Sequence, residues 1–458
     1  MKNHLQPIAG AAALLLLAGC ASFSADGGFG KVADLTRERT GQATSWQRTS
    51  AEADSAQARV AELLKQPLSA DTAVELALLN NRGLQAHFFE LGIAESDLVQ
   101  AGRLANPSVG FSRVAGGGVT EIDRSIVFSV LSLFTIPASK RVEQGRFEQA
   151  QYQAASEAVS LAGETRRAFF AAVAAQDLVR YGEQVQVAAD ASGELARRML
   201  QAGNFNKLSQ MRQQAFQADA TAQLARARHQ ATAERERMVR LLGLSGGQLG
   251  FKLPERLPDL PAELATMQNA EQTAMDKRLD VQTAKRSTEA TAHALGLTRA
   301  TRFVNALNVG YLNKSQTGEA RQNGYEIELE LPLFDFGSAR SARAEASYLQ
   351  SVARTAEVAV NARSEVREAY SAYRTAYELA KHYRDEIVPL KKRISDENLL
   401  AYNGMLLGVF DLLADSRDQV ASVTGYVEAL RDYWVAESRL QTALTGGSAA
   451  PGPLKETR

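Results

Sequence analysis

The 458-residue chain contains one cysteine, Cys20, so no disulfide can form within it. Histidine is almost as scarce. His4, His87, His229, His293 and His382 stand far apart, and no two have metal-ligand spacing. No glycine-rich phosphate loop follows a strand pattern, since Gly116-Gly117-Gly118 lies between two strand candidates and reads as a hairpin loop. These gaps leave no catalytic residue, metal site or cofactor to nominate, and they count against an enzyme. Net charge is missing too: 52 Lys and Arg balance 52 Asp and Glu, which gives no basic footprint for nucleic acid. Hydrophobic residues make up 45% of the chain, yet no segment after the N-terminus reaches the ~20 apolar residues of a transmembrane helix. If such a chain spans a membrane, it must do so with strands closed into a barrel.

What is present begins with Lys2 and His4, then an apolar run from Ile8 to Ala18. A polar, positive start, a short apolar stretch and small residues before a processing point read as a secretory signal over residues 1–19. The ending Leu17-Ala18-Gly19-Cys20 resembles a bacterial lipobox, which implies cleavage before Cys20 and lipid attachment to its thiol. Ala21 stands where an aspartate would resemble the inner-membrane retention signal, and this favours the outer membrane. Residues 20–66 read as a lipidated tether, polar and extended over most of their length.

The remainder is a tandem repeat, with a first copy at 67–250, a proline-containing linker at 251–262, a second copy at 263–446 and a tail at 447–458. Leu131-Ser132-Leu133-Phe134 returns as Leu331-Pro332-Leu333-Phe334, Val109-Gly110-Phe111 as Val309-Gly310-Tyr311, and Gly203 as Gly404. Every offset is close to 200 residues, and several matches in one order exclude coincidence. Each copy follows one plan of helix, two strands, long helix, turn and long return helix. Ser69 is the expected N-cap of a helix that runs to about Ala105 and stops at Asn106-Pro107. Strands are expected at Ser108–Ala115 and Ser125–Phe134, and a helix from Ala138 to Gln201. At 1.5 Å per residue that helix extends roughly 90 Å, far more than a compact globular domain needs. Val366, Tyr370, Tyr373 and Tyr377 alternate steps of four and three, as do Val409, Leu413, Ser416, Val420, Val423, Val427, Leu430 and Trp434. Such spacing is a coiled-coil seam.

The strands carry the functional information. Tyr325, Ile327, Leu329, Leu331 and Leu333 share one face, and Glu326, Glu328 and Glu330 the other. Apolar groups toward lipid and carboxylates toward a wet lumen is the alternation of a transmembrane β-barrel. Four strands cannot close a barrel, and open edges are not tolerated in hydrocarbon. The barrel must be shared among chains, and three copies would supply twelve strands.

A lipobox, two such repeats and Glu330-Leu331-Pro332-Leu333-Phe334-Asp335-Phe336-Gly337 leading into a helix together resemble the TolC-type outer-membrane efflux family, over about Leu63 to Leu444. The resemblance implies a mainly α fold with membrane β. A homotrimer would combine a long α-helical barrel with a 12-strand transmembrane β-barrel, four strands per chain. It also implies a passive exit duct for drugs or metal ions, docked onto a periplasmic adaptor and an inner-membrane transporter. The family's adaptor-docking tips match Gly203, Asn204 and Phe205 in the first hairpin and Gly404, Met405, Leu406 and Gly408 in the second. Its gate aspartates fall at Asp411 and, displaced by one position, at Asp415; a neighbour such as Arg417 could pair with them. Two alternatives stay open: a lipid-anchored periplasmic adaptor, which has a single coiled-coil hairpin, and an exit duct for type I protein secretion.

Overall fold

A computed structural model describes residues 22–446 apart from 266, 268, 305 and 331, with the backbone alone at 409–414 and 416. The expected signal, Cys20, Leu331 and the tail at 447–458 lie outside the described residues. In chain order the helices are α1 (Phe29–Thr40), α2 (Ser50–Leu63), α3 (Ala70–Asn80) and α4 (Arg82–Ala101). Strands β1 (Ser108–Gly116) and β2 (Val119–Ser129) lead into α5 (Val130–Gln201) and α6 (Lys207–Leu242). The second repeat supplies α7 (Ala270–Lys277), α8 (Leu279–Ala300), β3 (Leu307–Gln316), β4 (Gln322–Leu329), α9 (Ser338–His382), α10 (Val388–Asn403) and α11 (Val409–Thr445). A π-helical turn, Tyr383–Ile387, joins α9 to α10. The chain divides into two compact units: His87–Ala154 and Asp280–Ala359 with the residues up to Val32, and Ala33–Ala86, Ala155–Leu279 and the residues from Val360 onward.

In the first unit all four strands form one antiparallel sheet, ordered β1-β2-β3-β4, so the two repeats join through β2 and β3. Gly117 and Gly118 both have positive φ, 60° and 81°, between the paired ends Gly116 and Val119. Two consecutive positive-φ residues are what a two-residue hairpin of type I′ demands, and glycine supplies them at least cost. The Asp335-Phe336-Gly337 turn of the second repeat has a steric reason as well. Gly337 has φ +70°, and a Cβ there would lie 2.8 Å from the carbonyl oxygen of Arg302, while the Gly337 amide donates to Asp335 Oδ1 at 2.8 Å. Between α8 and α9, hydroxyls pair at 2.8 Å, Thr288 with Thr355 and Thr291 with Ser351. Asp26 accepts from the amides of Gly30 and Gly28 at 2.8 and 3.0 Å, which holds its carboxyl below the usual carboxylate range.

The second unit holds an aromatic core. Phe170 stacks on Trp434 at 5.2 Å, and Tyr433 packs against Tyr373 and Tyr377 at 5.6 and 5.8 Å. Val366, Tyr373, Tyr377 and Leu430 of the expected seam are buried there. The proline-rich linker is laced onto this core: Trp434 Nε1 donates to Pro258 O at 3.0 Å, and Tyr377 Oη to Ala262 O at 2.9 Å. The repeat also shows in a pair of buried polar clasps. Asn80 Nδ2 donates to the last carbonyls of α6, Leu242 and Gly243, at 2.9 and 2.8 Å. Arg278, 198 residues later, donates through Nη1 to Ala443 O near the end of α11 at 3.1 Å, and through Nη2 to Glu365 at 2.7 Å. Each clasp satisfies helix C-terminal carbonyls that have no intrahelical donor.

Glu437 stands beside this core, and burial pushes its carboxyl above the ordinary value. The folded state then binds that proton more tightly than the unfolded one, so this group's contribution falls as pH rises above the ordinary carboxylate range. Glu437→Gln is expected to raise the unfolding temperature at pH 8 and to leave it unchanged at pH 4, read by thermal unfolding at both pH values.

Four sequence expectations need correction. The helix from Ser69 to Ala105 is broken at Asn81, whose ψ of 117° is extended, although Ser69 is its N-cap and accepts from the Thr72 amide at 3.1 Å. The second strand begins at Val119 and ends at Ser129, not at Ser125 and Phe134, and Leu131-Ser132-Leu133-Phe134 is the first turn of a helix that also contains Pro137. The last strand ends at Leu329, so Glu330 and Leu333 fall beyond it. The segment read as an extended tether contains α1 and α2, the latter with a capping box between Thr49 and Glu52. Val32, Trp46 and Val60 are its buried apolar anchors.

Candidate functional site

The sheet has two chemically distinct faces, and its register assigns every residue to one of them. Tyr325 pairs with Tyr311, and Ile327 with Val309, which pairs in turn with Phe128. All five side chains are on one face, and Tyr325 and Ile327 are 86% and 73% exposed. In a single chain that exposure is large for residues so apolar, and it marks a surface that meets something other than water.

On the opposite face, Glu326 pairs with Gly310 and Glu328 with Asn308, whose Nδ2 donates to Glu328 at 3.0 Å. Of the three glutamates expected to share this face, Glu326 and Glu328 do so. Glu330 lies past the strand end, where its amide donates to Ala306 O at 3.2 Å. Register adds two carboxylates that sequence reasoning missed, Glu121 and Asp123 of β2, on the same face as Lys314 of β3, which forms an ion pair with Glu121. The signal was available in the spacing of Glu121 and Asp123, but Arg124 interrupts the alternation after them.

The hairpin tips lie in the second unit and are built alike. In the first, Gly203 takes φ +76°, its amide donates to Leu200 O at 3.1 Å, and the Asn204 amide donates to Met199 O at 2.9 Å. That is a Schellman-type helix end, where a left-handed residue is required and glycine is the usual choice. Asn206 then caps α6, accepting from the Ser209 amide at 2.8 Å.

In the second tip the left-handed residue is Met405, at φ +58°, with its amide on Tyr402 O at 3.0 Å and the Leu406 amide on Ala401 O at 2.9 Å. Gly404 has φ −81°, so the structural counterpart of Gly203 is Met405, and the echo with Gly404 is out of step by one residue. Gly408 stands where Asn206 does and caps α11 without a side chain. A left-handed conformation costs an ordinary residue roughly 1–2 kcal/mol. Here it is spent on a methionine that is 94% exposed, beside Leu406 at 84%.

The aspartates expected at a gate lie just past this tip, in the first turns of α11. Asp411 is helical in backbone, and its side chain lies outside the described residues. Asp415 is 8% exposed, with an Oδ2 that meets no hydrogen-bond donor among the described residues. Arg417 turns toward α6, donating to Arg212 O at 3.2 Å and lying 4.6 Å over the Phe216 ring.

No helix among the described residues is long and apolar enough to cross a membrane. Residues 270–391 match the model of the outer membrane efflux protein family. No sequence among curated proteins matches the chain. Solved structures do. The outer-membrane channel OprN aligns at 19% identity over 84% of this chain and 92% of that one, with a TM-score of 0.70. The outer membrane protein VceC of Vibrio cholerae aligns at 16% identity over 88% and 98%, with a TM-score of 0.66. The open state of the MtrE outer membrane channel of Neisseria gonorrhoeae aligns at 16% identity over 82% and 88%, with a TM-score of 0.68. At these identities the likeness is one of fold.

Proposed function

We infer that this chain, whose residues 270–391 match the outer membrane efflux protein family and whose fold is that of the solved outer-membrane channels, is the outer-membrane subunit of a tripartite efflux system. The observation that carries the reading is the two-faced sheet with two unpaired edges. β1 and β4 each have one neighbour, and in hydrocarbon an unpaired edge leaves a row of backbone groups unsatisfied at several kcal/mol each. Pairing β4 of one copy with β1 of the next removes both edges, and three copies close a twelve-strand barrel. The apolar face then meets lipid, and Glu121, Asp123, Glu326 and Glu328 line a wet lumen suited to cations or cationic drugs. Cys20 attaches the chain to the membrane through lipid. The duct is passive, and an inner-membrane transporter supplies the energy.

A periplasmic adaptor docks on the tips, where an exposed Met405 stands in a left-handed conformation that glycine would adopt at less cost. Met405→Gly is expected to change stability by less than about 1 kcal/mol, because relief of the left-handed strain is offset by glycine's greater unfolded-state entropy. The same substitution is expected to weaken adaptor capture by tenfold or more, the loss typical of an exposed anchor side chain. Unchanged capture would remove Met405 from the docking surface.

Asp411 belongs to the gate in this reading. Three symmetric copies near a channel axis would repel one another and attract cations. Asp411→Ala should lower the cation-over-anion permeability ratio of single channels, and an unaltered ratio would take Asp411 out of the constriction.

The rival adaptor reading has one helical hairpin and no lipid-facing sheet. Heat-resistant trimers in outer-membrane fractions are expected here, and a periplasmic monomer would favour the adaptor.

A further inference from the structure

Charge is sorted between the two faces of the sheet more sharply than a lumen alone requires. Every described strand carboxylate, Glu121, Asp123, Glu326 and Glu328, faces inward by register, as does the one lysine, Lys314. The outward face carries Arg113 of β1 and Arg124 of β2 and no carboxylate. Both are exposed. Arg113 pairs across the strands with Ile122, and Arg124 with Phe111, so the two arginines are diagonal neighbours, with Cβ atoms about 7–8 Å apart or somewhat less. Arg124 Nη1 donates to Asn313 Oδ1 at 3.1 Å, a neutral partner that orients the guanidinium without neutralising it.

Their height on the sheet is equally specific. Ile126 and Phe128 follow Arg124 on the same face of β2, toward α5, and Ile122 precedes it, toward the Gly117-Gly118 turn. The arginines thus sit at the turn-side edge of the apolar band, where Asn313 and Ser315 of β3 take over from Tyr311 and Val309 on the same face, in the half of the strands that leads to the hairpin turn. The opposite strand ends continue into helices, so this half is the one that faces the cell exterior when the helices are periplasmic.

We propose that Arg113 and Arg124 form a binding site for the phosphate-bearing headgroup of an outer-leaflet glycolipid. Guanidinium groups bind phosphate oxygens in forked pairs and shed water more readily than ammonium groups do. A diagonal pair can hold two oxygens of one phosphate or bridge two phosphates of one headgroup. Phe111, Ile126 and Phe128 present the apolar surface on which that lipid's acyl chains lie. The site rests on the reading that the outward face meets lipid, and its partner follows from charge complementarity at that level of the sheet.

The test uses the purified full-length trimer, titrated with bis-phosphorylated lipid A and with the same lipid after enzymatic dephosphorylation, and read by native mass spectrometry. Wild type is expected to retain the phosphorylated lipid at least about tenfold better, a difference of about 1.4 kcal/mol. Arg113→Ser/Arg124→Ser is expected to abolish that preference, while Glu326→Gln/Glu328→Gln, on the other face, keeps it. Equal retention of the two lipids by wild type would overturn the site while leaving the channel reading intact, and that comparison does not depend on the variant folding. An undiminished preference in the double arginine variant would overturn it too. A protein that takes up neither lipid and never forms a trimer would overturn the membrane reading, and this site with it.

Discussion

Ile327→Arg is expected to destabilise the barrel by about 2–4 kcal/mol per chain, the cost of a basic side chain on the lipid face near the bilayer midplane, and to deplete heat-resistant trimer from outer-membrane fractions. Ile327 is 73% exposed in the single chain, so in water the substitution would be almost neutral, as surface changes usually are. The effect exists only if hydrocarbon covers that face. Glu328→Lys, one residue away on the other face, supplies the control. It is expected to leave trimer yield unchanged and to reduce cation selectivity. Equal effects of the two substitutions on trimer yield would mean that the sheet faces do not separate lipid from lumen.

The second large effect is expected at Arg278. Its side chain is fully buried, with 0% exposure, and reaches both Ala443 O and Glu365. Arg278→Met should cost about 3 kcal/mol, the low end of what removing one member of a buried charge pair costs. The low end applies because Glu365 is 37% exposed and can be solvated once its partner is gone. What water does not restore is the clasp on the end of α11. Glu365→Gln should therefore cost under about 1 kcal/mol, as a largely solvated ion pair does. Asn80→Ala, which removes the matching clasp on α6, should cost about 1–3 kcal/mol through unsatisfied carbonyls. Thermal unfolding of the solubilised protein measures all three. A loss at Glu365 as large as the loss at Arg278 would assign the stability to the ion pair instead of the clasp.

Much of this architecture is legible in the sequence because it is periodic. The two-residue alternation of Tyr325 to Leu329 corresponds to one apolar face of the sheet, and the 4-3 spacing of Val366 to Tyr377 to a face that packs into the core. A period is a property of many residues, so one exception does not erase it. What was not legible depended on single residues in particular contexts. The start of β2 is hidden because Arg124 stands where an apolar residue would complete the alternation. Leu131-Ser132-Leu133-Phe134 reads like a strand, yet it is helical because the ladder with β3 has already ended at Ser129. The helices in the supposed tether are polar over most of their surface, and a few contacts such as Phe29 against Phe88 at 5.0 Å hold them. The offset in the second tip is a matter of one dihedral: Met405 adopts the conformation that glycine composition would assign to its neighbour Gly404.

The claim on which the rest depends is that three copies of this four-strand sheet close into a membrane channel, and it is tested most directly by the conductance of the purified, detergent-solubilised protein in a planar lipid bilayer, with its oligomeric mass measured on the same preparation. The account predicts a trimer that gives discrete, cation-selective openings, and a monomer that inserts no conductance would contradict it.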